Sequence, residues 1–327
     1  MSDLALDPEE TPCAGGPPEG PVFDALLGRE VALGPHTVVR RLLPHRSRRM
    51  VGAWCFADHF GPNDVFGGPG MQVPPHPHTG LQTATWLLDG EVQHADSVGS
   101  VQPIRPGQLN LMTSGRGISH AEVSPDGAAP VLHGLQLWIA LPAQEAHAQP
   151  RFEHHETLPA VSAPGWTATV VVGELMGARS PARTHTPIVG AEVVVHGPGA
   201  LELRPEWEYG LLLIDGSAQV EGRALEPGSL AYLGGDRHEV RLTSPVGARV
   251  FLLGGEPFQD ELVMWWNFVG RSHEEIAEAR ADWMADVSHP DPGGRFGVVA
   301  AYDGPPLPAP ELPGVRLKAR TRRGDRA

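Results

Sequence analysis

The sequence predicts an all-β protein made of two tandem barrels and one C-terminal helix. Short apolar runs separated by Gly and Pro turns recur along most of the chain, which is typical of sandwiches and barrels. Residues 85–91 are echoed by 209–217, and residues 105–109 by 226–230, which indicates an internal repeat. Only residues 272–284 carry apolar side chains at helical spacing over several turns.

Length, charge and cysteine content narrow the class of protein. The 327 residues, 41% of them hydrophobic, suffice for one large or two medium-sized domains with cores. A formal net charge of −14 argues against affinity for nucleic acids or anionic membranes, because phosphate binding needs a basic surface. Cys13 and Cys55 lie in unrelated contexts, so no disulfide framework is predicted. No apolar run approaches a membrane span and the N-terminus does not read as a signal peptide, so we expect a cytoplasmic protein. We also expect a monomer.

Composition shifts divide the chain into three parts. Residues 1–21 are rich in Pro, Gly and Glu without hydrophobic periodicity, so we expect them to be disordered. Residues 22–150 are predicted to form the first barrel. Residues 151–327 are predicted to form the second barrel, a helix over 272–285 and a Pro-rich tail. A Pro- and Ala-rich connector carrying His147, His154 and His155 is expected to link the barrels.

Several short strands are predicted in the first barrel. Residues 51–56 read as a buried strand, and the Asp89-Gly90 turn joins two β-rich runs into a hairpin. The Pro106-Gly107 turn leads into another apolar run, and a glycine-rich bend at 115–117 precedes His120. Residues 132–142 read as the strand that closes this barrel.

Four potential metal ligands form two pairs with the same spacing. One residue separates His76 from His78, and one residue separates His120 from Glu122. Side chains at i and i+2 of a strand point to the same face, so each pair can hold an ion from one strand. Three imidazoles and one carboxylate suit iron, nickel, copper, manganese, cobalt or zinc better than calcium or magnesium. Chance recurrence of histidine would explain a single pair of residues with this spacing. It explains two pairs with the same spacing poorly.

Longer motifs surround these four residues. They are HPHTG at 76–80, LLDGE at 87–91, RPG at 105–107, MTSGRGISHAE at 112–122, GGEP at 254–257 and WWNFVG at 265–270. Together they resemble the signature of the pirins, a branch of the bicupin superfamily, over most of the chain after about Pro21. The resemblance implies two cupin barrels and one metal ion, usually Fe(II), bound by the residues that match the four ligands.

Two positions depart from the patterns of related proteins. Thr79 stands where many pirins carry Arg, so a rim or substrate contact made by that Arg is not carried over to this chain. Gln82 stands about where ordinary cupins have a glutamate ligand. The carboxylate at Glu122 would therefore fill that role, as it does in the pirin arrangement.

Other polar residues near the ligands have structural alternatives. His94 is a candidate for a fifth ligand or a cavity residue, but we assign it no partner two residues further on. Gln136 either faces the ligand cavity or is a core amide bonded to backbone. We expect His59 to make a structural hydrogen bond and Cys55 to pack in the core.

The ligand pairs do not recur in the second barrel. His185 is followed by Pro187 where a second histidine would be needed, and His238 comes too soon after its Pro-Gly turn. We therefore predict that the second barrel is metal-free and structural.

The C-terminal part is predicted to contain one helix and an extended segment. Ser272 and Glu275 form a capping box, and one helical face carries Ile276, Ala279 and Trp283, which would cover a barrel. The Pro-rich run at 305–310 is expected to pack along the surface. The basic residues near the end are expected to form a solvated tail.

Two functions are compatible with an open metal site. The resemblance implies a dioxygenase of the quercetin 2,3-dioxygenase type, in which a phenolic substrate chelates the metal beside dioxygen and Glu122 acts as ligand and base. The alternative is a non-enzymatic, iron-dependent redox sensor or transcriptional co-regulator that acts through protein partners rather than DNA. An accessible cavity at the ligands favours the enzyme, whereas a closed site favours the sensor.

Overall fold

The computed structural model describes residues 11–13, 20–33, 37–65, 70–125, 127 and 129–319. Strands in the first half are rich in β-branched and aromatic residues, which fit a pleated, half-buried surface. They are β1 (Thr11–Cys13), β2 (Asp24–Leu27), β3 (Arg29–Leu33), β4 (Thr37–Leu43), β5 (Trp54–Asp64), β6 (Gln72–His78), β7 (Leu81–Asp89), β8 (Val92–Asp96), β9 (Val101–Ile104), β10 (Leu109–Thr113), β11 (Ile118–Val123), β12 (Val131–Ala140) and β13 (Arg151–His155).

The second half continues the pattern and ends with the helix. Its elements are β14 (Ala160–Ala163), β15 (Trp166–Leu175), β16 (Ala178–Arg179), β17 (Ile188–Val195), β18 (Gly199–Glu202), β19 (Glu208–Gly216), β20 (Ala218–Val220), β21 (Arg223–Leu225), β22 (Ser229–Gly234), β23 (Glu239–Thr243), β24 (Ala248–Gly255), β25 (Leu262–Trp265), β26 (Phe268–Gly270) and α1 (His273–Ser288). Among the described residues, no helix has the length and apolar character needed to cross a membrane.

Each barrel consists of a large sheet facing a small one. In the first barrel the orders are β13-β10-β7-β12-β5-β4-β3 and β6-β11-β8-β9. In the second they are β14-β15-β17-β24-β19-β22-β2 and β18-β23-β20-β21. The repeated segments seen in the sequence occupy equivalent places, because β7 lies between β10 and β12 as β19 lies between β22 and β24. The predicted all-β class with two barrels and a C-terminal helix is confirmed.

The two barrels exchange one strand each, which differs from the predicted division at residue 150. β13 pairs antiparallel with β10 of the first barrel, and β2 pairs antiparallel with β22 of the second. A strand at the edge of a sheet leaves backbone N–H and C=O groups unpaired. The exchanged strands β13 and β2 pair with these groups on β10 and β22, which occupy equivalent positions in the two barrels. His154 and His155, expected in a connector, therefore lie in β13.

An apolar layer joins the two barrels. The indole N–H of Trp54 donates to the carbonyl oxygen of Val189 at 3.1 Å, and that of Trp86 donates to Glu192 Oε2 at 2.8 Å. Both tryptophans belong to a buried cluster that includes residues of each barrel. Cys55 is fully buried in this cluster, as predicted. Burial of such large aromatic side chains fixes the two sheets against each other.

The helix α1 begins one residue later and ends three residues later than predicted. The hydroxyl of Ser272 accepts a hydrogen bond from the Glu275 N–H at 3.2 Å, as the capping box requires. Glu275 Oε2 accepts in return from the N–H of Arg271 at 2.9 Å, one residue earlier than the usual box partner. The predicted inner face of Ile276, Ala279 and Trp283 is buried.

The segment after α1 packs on the first barrel rather than the second. The carbonyl oxygen of Phe296 accepts from the Ser119 N–H at 3.1 Å, and the Leu307 N–H donates to the Pro75 carbonyl at 2.8 Å. Trp283 donates its indole N–H to the Leu307 carbonyl at 2.8 Å. The Pro-rich run therefore packs along the surface as predicted, beside β6, while the backbone at Phe296 lies against β11.

The two ends of the chain only partly match their predictions. Within the segment expected to be disordered, β1 pairs with β25, while residues 1–10 and 14–19 lie outside the described residues. In the predicted solvated tail, Arg316 forms an ion pair with Glu274 and Leu317 is buried. Residues 320–327 also lie outside the described residues.

Candidate metal centre

Two prolines shape the strand that carries the first ligand pair. Proline has no backbone N–H, so Pro74 and Pro75 cannot donate to the ladder between β6 and β11. The pairing shifts at this point, since His120 lies opposite His76 but Glu122 lies opposite Val73. The Pro74 carbonyl instead accepts a hydrogen bond from His76 Nδ1 at 2.8 Å. His76 Nε2 therefore keeps its lone pair for a metal.

A glycine bend delivers the second ligand pair. Gly115 has a φ of 49°, and a Cβ at this position would lie 1.9 Å from the Ala148 carbonyl oxygen. Only glycine accommodates both the left-handed conformation and this close approach. The bend leads directly into β11, where His120 faces β6 on one side and β8 on the other.

The structure brings His76, His78 and His120 together. Their potential ligand nitrogens all lie within 4.8 Å of one another. The Nε2 atoms of His78 and His120 are 3.1 Å apart. Two nitrogens bound at right angles to an ion with bonds of ~2.1 Å would be about 3.0 Å apart. The three imidazoles therefore fit a single metal ion.

Burial keeps these imidazoles neutral. Each is at most 1% exposed. Burial lowers the pKa of His76 to about 4, against an opposing effect of the Pro74 carbonyl and Glu122. Burial also lowers the pKa of His78 and His120 well below the usual value, and the neighbouring imidazoles lower it further. At pH 7 all three rings can offer a lone pair without first losing a proton.

Glu122 lies beside this cluster and has a defined hydrogen-bond partner. Its side chain is 1% exposed, and Oε1 lies 3.3 Å from the hydroxyl of Thr85. The same hydroxyl is 2.9 Å from Gln136 Oε1. Since a hydroxyl has one proton, it cannot donate to both oxygens at once. Turning the Gln136 amide resolves the conflict, because its NH₂ then donates to Thr85 while Thr85 donates to Glu122.

Comparisons with known proteins agree with this arrangement. The family model described as Pirin matches residues 36–139, and the model described as Pirin C-terminal cupin domain matches residues 192–287. A Pseudomonas aeruginosa protein named "Putative quercetin 2,3-dioxygenase" is 47% identical over 295 residues, which cover 89% of this chain and 91% of that protein. The chain belongs to the pirin family.

Two further proteins show how closely this pirin follows the family. A "Pirin-like protein" of Caulobacter vibrioides is 36% identical over 274 residues, covering 81% of this chain and 92% of the relative. The crystal structure of quercetin 2,3-dioxygenase from Acinetobacter baumannii matches with a TM-score of 0.85 and 43% identity, covering 90% of this chain and 98% of that one. The predicted family and its two cupin-type domains are thus confirmed.

In the second cupin domain of this pirin, apolar side chains lie on the strands that match β6 and β11. The strands β18 and β23 are the topological equivalents of β6 and β11. They present the cross-strand pair Leu201 and Val240, both fully buried in the apolar cluster of that barrel. Of the two histidines considered in this barrel, His185 lies 3.4 Å from a carboxylate oxygen of Glu145, and His238 is exposed.

His94 contacts a ligand without joining the three-imidazole group. Its Nδ1 lies 3.3 Å from His120 Nδ1, and its Nε2 lies 3.0 Å from Asp96 Oδ2. The expectation that His94 has no partner two residues further on was wrong, because Asp96 lies on the same face of β8. The sequence carried the signal, since His94 and Asp96 repeat the one-residue gap of the two ligand pairs.

The WWNFVG motif near the C-terminus reaches the site through β26. The Val269 N–H donates to the Thr79 carbonyl at 3.1 Å, and the Thr79 hydroxyl donates to the Val269 carbonyl at 3.3 Å. The backbone of Asn267 raises the pKa of His78, against the larger effect of burial. Thr79, which departs from the family pattern, is therefore committed to backbone contacts beside a ligand.

Two other residues singled out in the sequence lie away from the ligands. His59 Nε2 is 2.8 Å from His133 Nε2, so the predicted structural hydrogen bond is confirmed. The amide of Gln82 donates to the Thr113 hydroxyl at 2.9 Å and to the Arg183 carbonyl at 3.0 Å. Gln82 is therefore engaged in links to neighbouring segments.

Proposed function

We propose that this pirin is a metal-dependent dioxygenase that cleaves flavonols or related phenols with adjacent oxygens. The observation that carries the proposal is the set of three buried, neutral imidazoles on opposed strands with a carboxylate beside them. The names of the Pseudomonas relative and the Acinetobacter structure support quercetin as a substrate. We expect Fe(II) as the metal, with Ni, Cu, Mn, Co or Zn as alternatives, because the donor set mixes imidazole nitrogen and carboxylate oxygen.

The proposed ligands are His76, His78, His120 and Glu122. A bound metal would supply Lewis acidity and would hold the chelating phenol close to dioxygen. Glu122 would also take the phenolic proton, which requires its carboxylate to be ionised and correctly oriented. The Thr85 hydroxyl fixes one oxygen of this carboxylate at 3.3 Å. The reaction would consume flavonol and dioxygen in equal amounts and release carbon monoxide.

Oxygen uptake on quercetin tests this proposal. The protein is purified without oxygen and loaded with one metal at a time, and dioxygen uptake and carbon monoxide release are then measured. We expect Glu122→Gln to lower turnover by about 10²- to 10⁴-fold, because it removes the base. Glu202→Gln serves as control, since Glu202 is exposed on β18 of the second barrel.

The outcome of this assay is decisive for the enzyme. Turnover that persists in Glu122→Gln would remove the proposed role of that residue. Stoichiometric metal without turnover of any flavonol or catechol would contradict the proposal as a whole.

The near-complete burial of the ligands favours a second candidate, an iron-dependent redox sensor that acts through protein partners. Oxidation of the metal would then alter the segments packed around the ligands, including β26 and the chain after α1. Hydrogen exchange of the ferrous and ferric proteins tests this. The sensor predicts different exchange rates in these segments, and identical rates in the two states would contradict it.

A further inference from the structure

Three buried side chains, those of Asp96, His94 and the candidate ligand His120, form a series of contacts that starts beside the turn after β8. Asp96 and His94 lie on the inner face of β8, opposite His120 and Glu122 respectively in the ladder with β11. Asp96 and His94 are each 3% exposed. Their contacts form a continuous series, with 3.0 Å between Asp96 Oδ2 and His94 Nε2 and 3.3 Å between the Nδ1 atoms of His94 and His120.

The direction of donation along this chain is fixed at its outer end. Asp96 Oδ1 accepts hydrogen bonds from the backbone N–H groups of Val98 at 3.0 Å and Ser100 at 2.9 Å. A carboxylate only accepts, so the other oxygen requires a proton on His94 Nε2. A ring whose single proton is on Nε2 has a lone pair on Nδ1, which accepts the Nδ1–H of His120. The nitrogen of His120 that remains unprotonated is Nε2, which faces His78 at 3.1 Å.

The orientation of His94 is also fixed. Its ring stacks on Phe152 with centroids 4.4 Å apart and planes 16° apart. Rotating the ring by 180° would place carbon atoms against Asp96 and His120 and lose both hydrogen bonds. Phe152 belongs to β13, the strand that the sequence led us to place in the second barrel.

The outer nitrogens of His76 and His120 obtain their hydrogen bonds from different sources. His76 donates from Nδ1 to the carbonyl oxygen of Pro74 on its own strand. His120 lies in the middle of its sheet, where the backbone of β11 is paired on both sides. A side chain from the neighbouring strand can still reach its outer nitrogen, and His94 occupies that position.

We propose that Asp96 and His94 are positioning residues that hold His120 with its proton on Nδ1 and its lone pair on Nε2. Outer partners of this kind raise the affinity of a histidine for a metal by fixing its tautomer and ring orientation. The inference rests on the proposed metal centre but not on its action on flavonols. It is therefore tested by metal binding, which is measured without any substrate.

The variant Asp96→Asn reverses the direction of the hydrogen bonds between residue 96, His94 and His120, with little change in the shape of the side chain. Oδ1 remains committed to the N–H groups of Val98 and Ser100, so the new NH₂ group must face His94. His94 Nε2 then accepts, His94 Nδ1 donates, and the proton of His120 moves to Nε2, where it blocks the metal. We expect affinity for Co(II), measured by calorimetric titration of the metal-free protein, to fall by about 10- to 100-fold.

A second change separates this role from a purely structural one. In the double variant Asp96→Asn/His94→Gln, the Gln amide can turn its oxygen to His120 whatever residue stands at position 96. We expect it to recover much of the affinity and the Co(II) absorption spectrum lost in Asp96→Asn. The control is Asp215→Asn in the second barrel, where Oδ1 likewise accepts a backbone N–H, that of Gly216 at 2.8 Å.

Three results would overturn the proposal. One is a wild-type Co(II) affinity and spectrum in Asp96→Asn. Another is a loss of affinity that only parallels a lower melting temperature of the metal-free variant. The third is a double variant that binds Co(II) no better than Asp96→Asn. Absence of quercetin turnover in the wild type would contradict the proposed enzyme and leave these affinity measurements unaffected.

Discussion

The two barrels have the same strand order but different interiors. In the first, β6 and β11 present histidines and a glutamate to the interior, and the described apolar cluster on this side of the large sheet is small. In the second, β18 and β23 present Leu201, Val240 and Leu242 to an extended apolar cluster. The fold therefore tolerates either a polar centre or a filled core, and the inward residues decide which one forms.

The difference extends across the large sheets. One row of the first barrel runs through paired residues on five strands, namely Asn110, Thr85, Gln136, Asp58 and Arg41. A corresponding row of the second barrel runs through Ala231, Leu211, Leu252 and Ala191, all fully buried. Residues that are paired across neighbouring strands point to the same face of the sheet. The interior therefore changes from polar to apolar when the paired residues of a row differ together.

Several members of the polar row are hydrogen-bonded within the barrel. Asp58 accepts two hydrogen bonds from Arg41, each 2.9 Å long, and Asn110 Oδ1 lies 2.6 Å from His154 Nδ1. Buried polar groups without such partners would destabilise the barrel. The first barrel thus has a partly polar interior, whereas the interior of the second barrel is apolar.

Removing a ligand should have the largest effect and should be confined to the first barrel. We expect His120→Ala to weaken metal binding by more than about 100-fold, because losing a ligand costs more than losing its outer partner. Calorimetric titration of the metal-free variant with Co(II) measures this. The metal-free protein should keep the far-UV circular dichroism of the wild type, and a retained wild-type affinity would exclude His120 as a ligand.

Truncating an inward apolar residue of the second barrel should lower stability and leave metal binding unchanged. Leu201→Ala removes a fully buried side chain from the filled barrel, so we expect the free energy of unfolding to fall by about 2–5 kcal/mol. Metal content should remain that of the wild type. Urea denaturation with metal analysis tests both parts, and a loss of metal at unchanged stability would reverse the assigned roles of the barrels.

Acid should destabilise the first barrel through its buried histidines. Burial, with His133 and Arg40 adding to it, lowers the pKa of His59 to about 4. The unfolded chain binds this proton near pH 6.5, whereas the folded chain binds it only near pH 4. The free energy of unfolding is therefore unaffected by this group above pH 6.5 and falls, by about 3 kcal/mol in total, as pH drops towards 4.

A matched pair of variants isolates this contribution. In His59→Gln the melting temperature of the metal-free protein should fall less between pH 6.5 and 4 than in the wild type. The control His289→Gln changes an exposed histidine at the end of α1 and should follow the wild type. Parallel pH profiles for all three proteins would assign the acid sensitivity to other groups.

Local patterns in the sequence were sufficient for much of the fold. The spacing of His76 and His78, the repeat around the Asp89-Gly90 turn, and the cap at Ser272 are all properties of a few neighbouring residues. Each depends on strand alternation, turn conformation or helix capping, which act over short distances. The four ligands remain predictions, although the three imidazoles lie together.

Contacts between parts of the chain that are distant in sequence could not be predicted. Nothing near β13 signals that it completes the first barrel, because strand pairing depends on which edge is available in the folded chain. The cover that β26 and the segment around Phe296 form over the first barrel is equally remote in sequence. Asp96 was overlooked for a different reason, since we searched its position only for a metal ligand and not for a partner of His94.

Anomalous diffraction from metal-loaded crystals tests the difference between the barrels most directly. Data collected on either side of the metal absorption edge locate each bound ion without any assumption about ligands. We predict one site, surrounded by His76, His78, His120 and Glu122 in the first barrel. An ion inside the second barrel, or no ion among these four residues in metal-loaded protein, would contradict it.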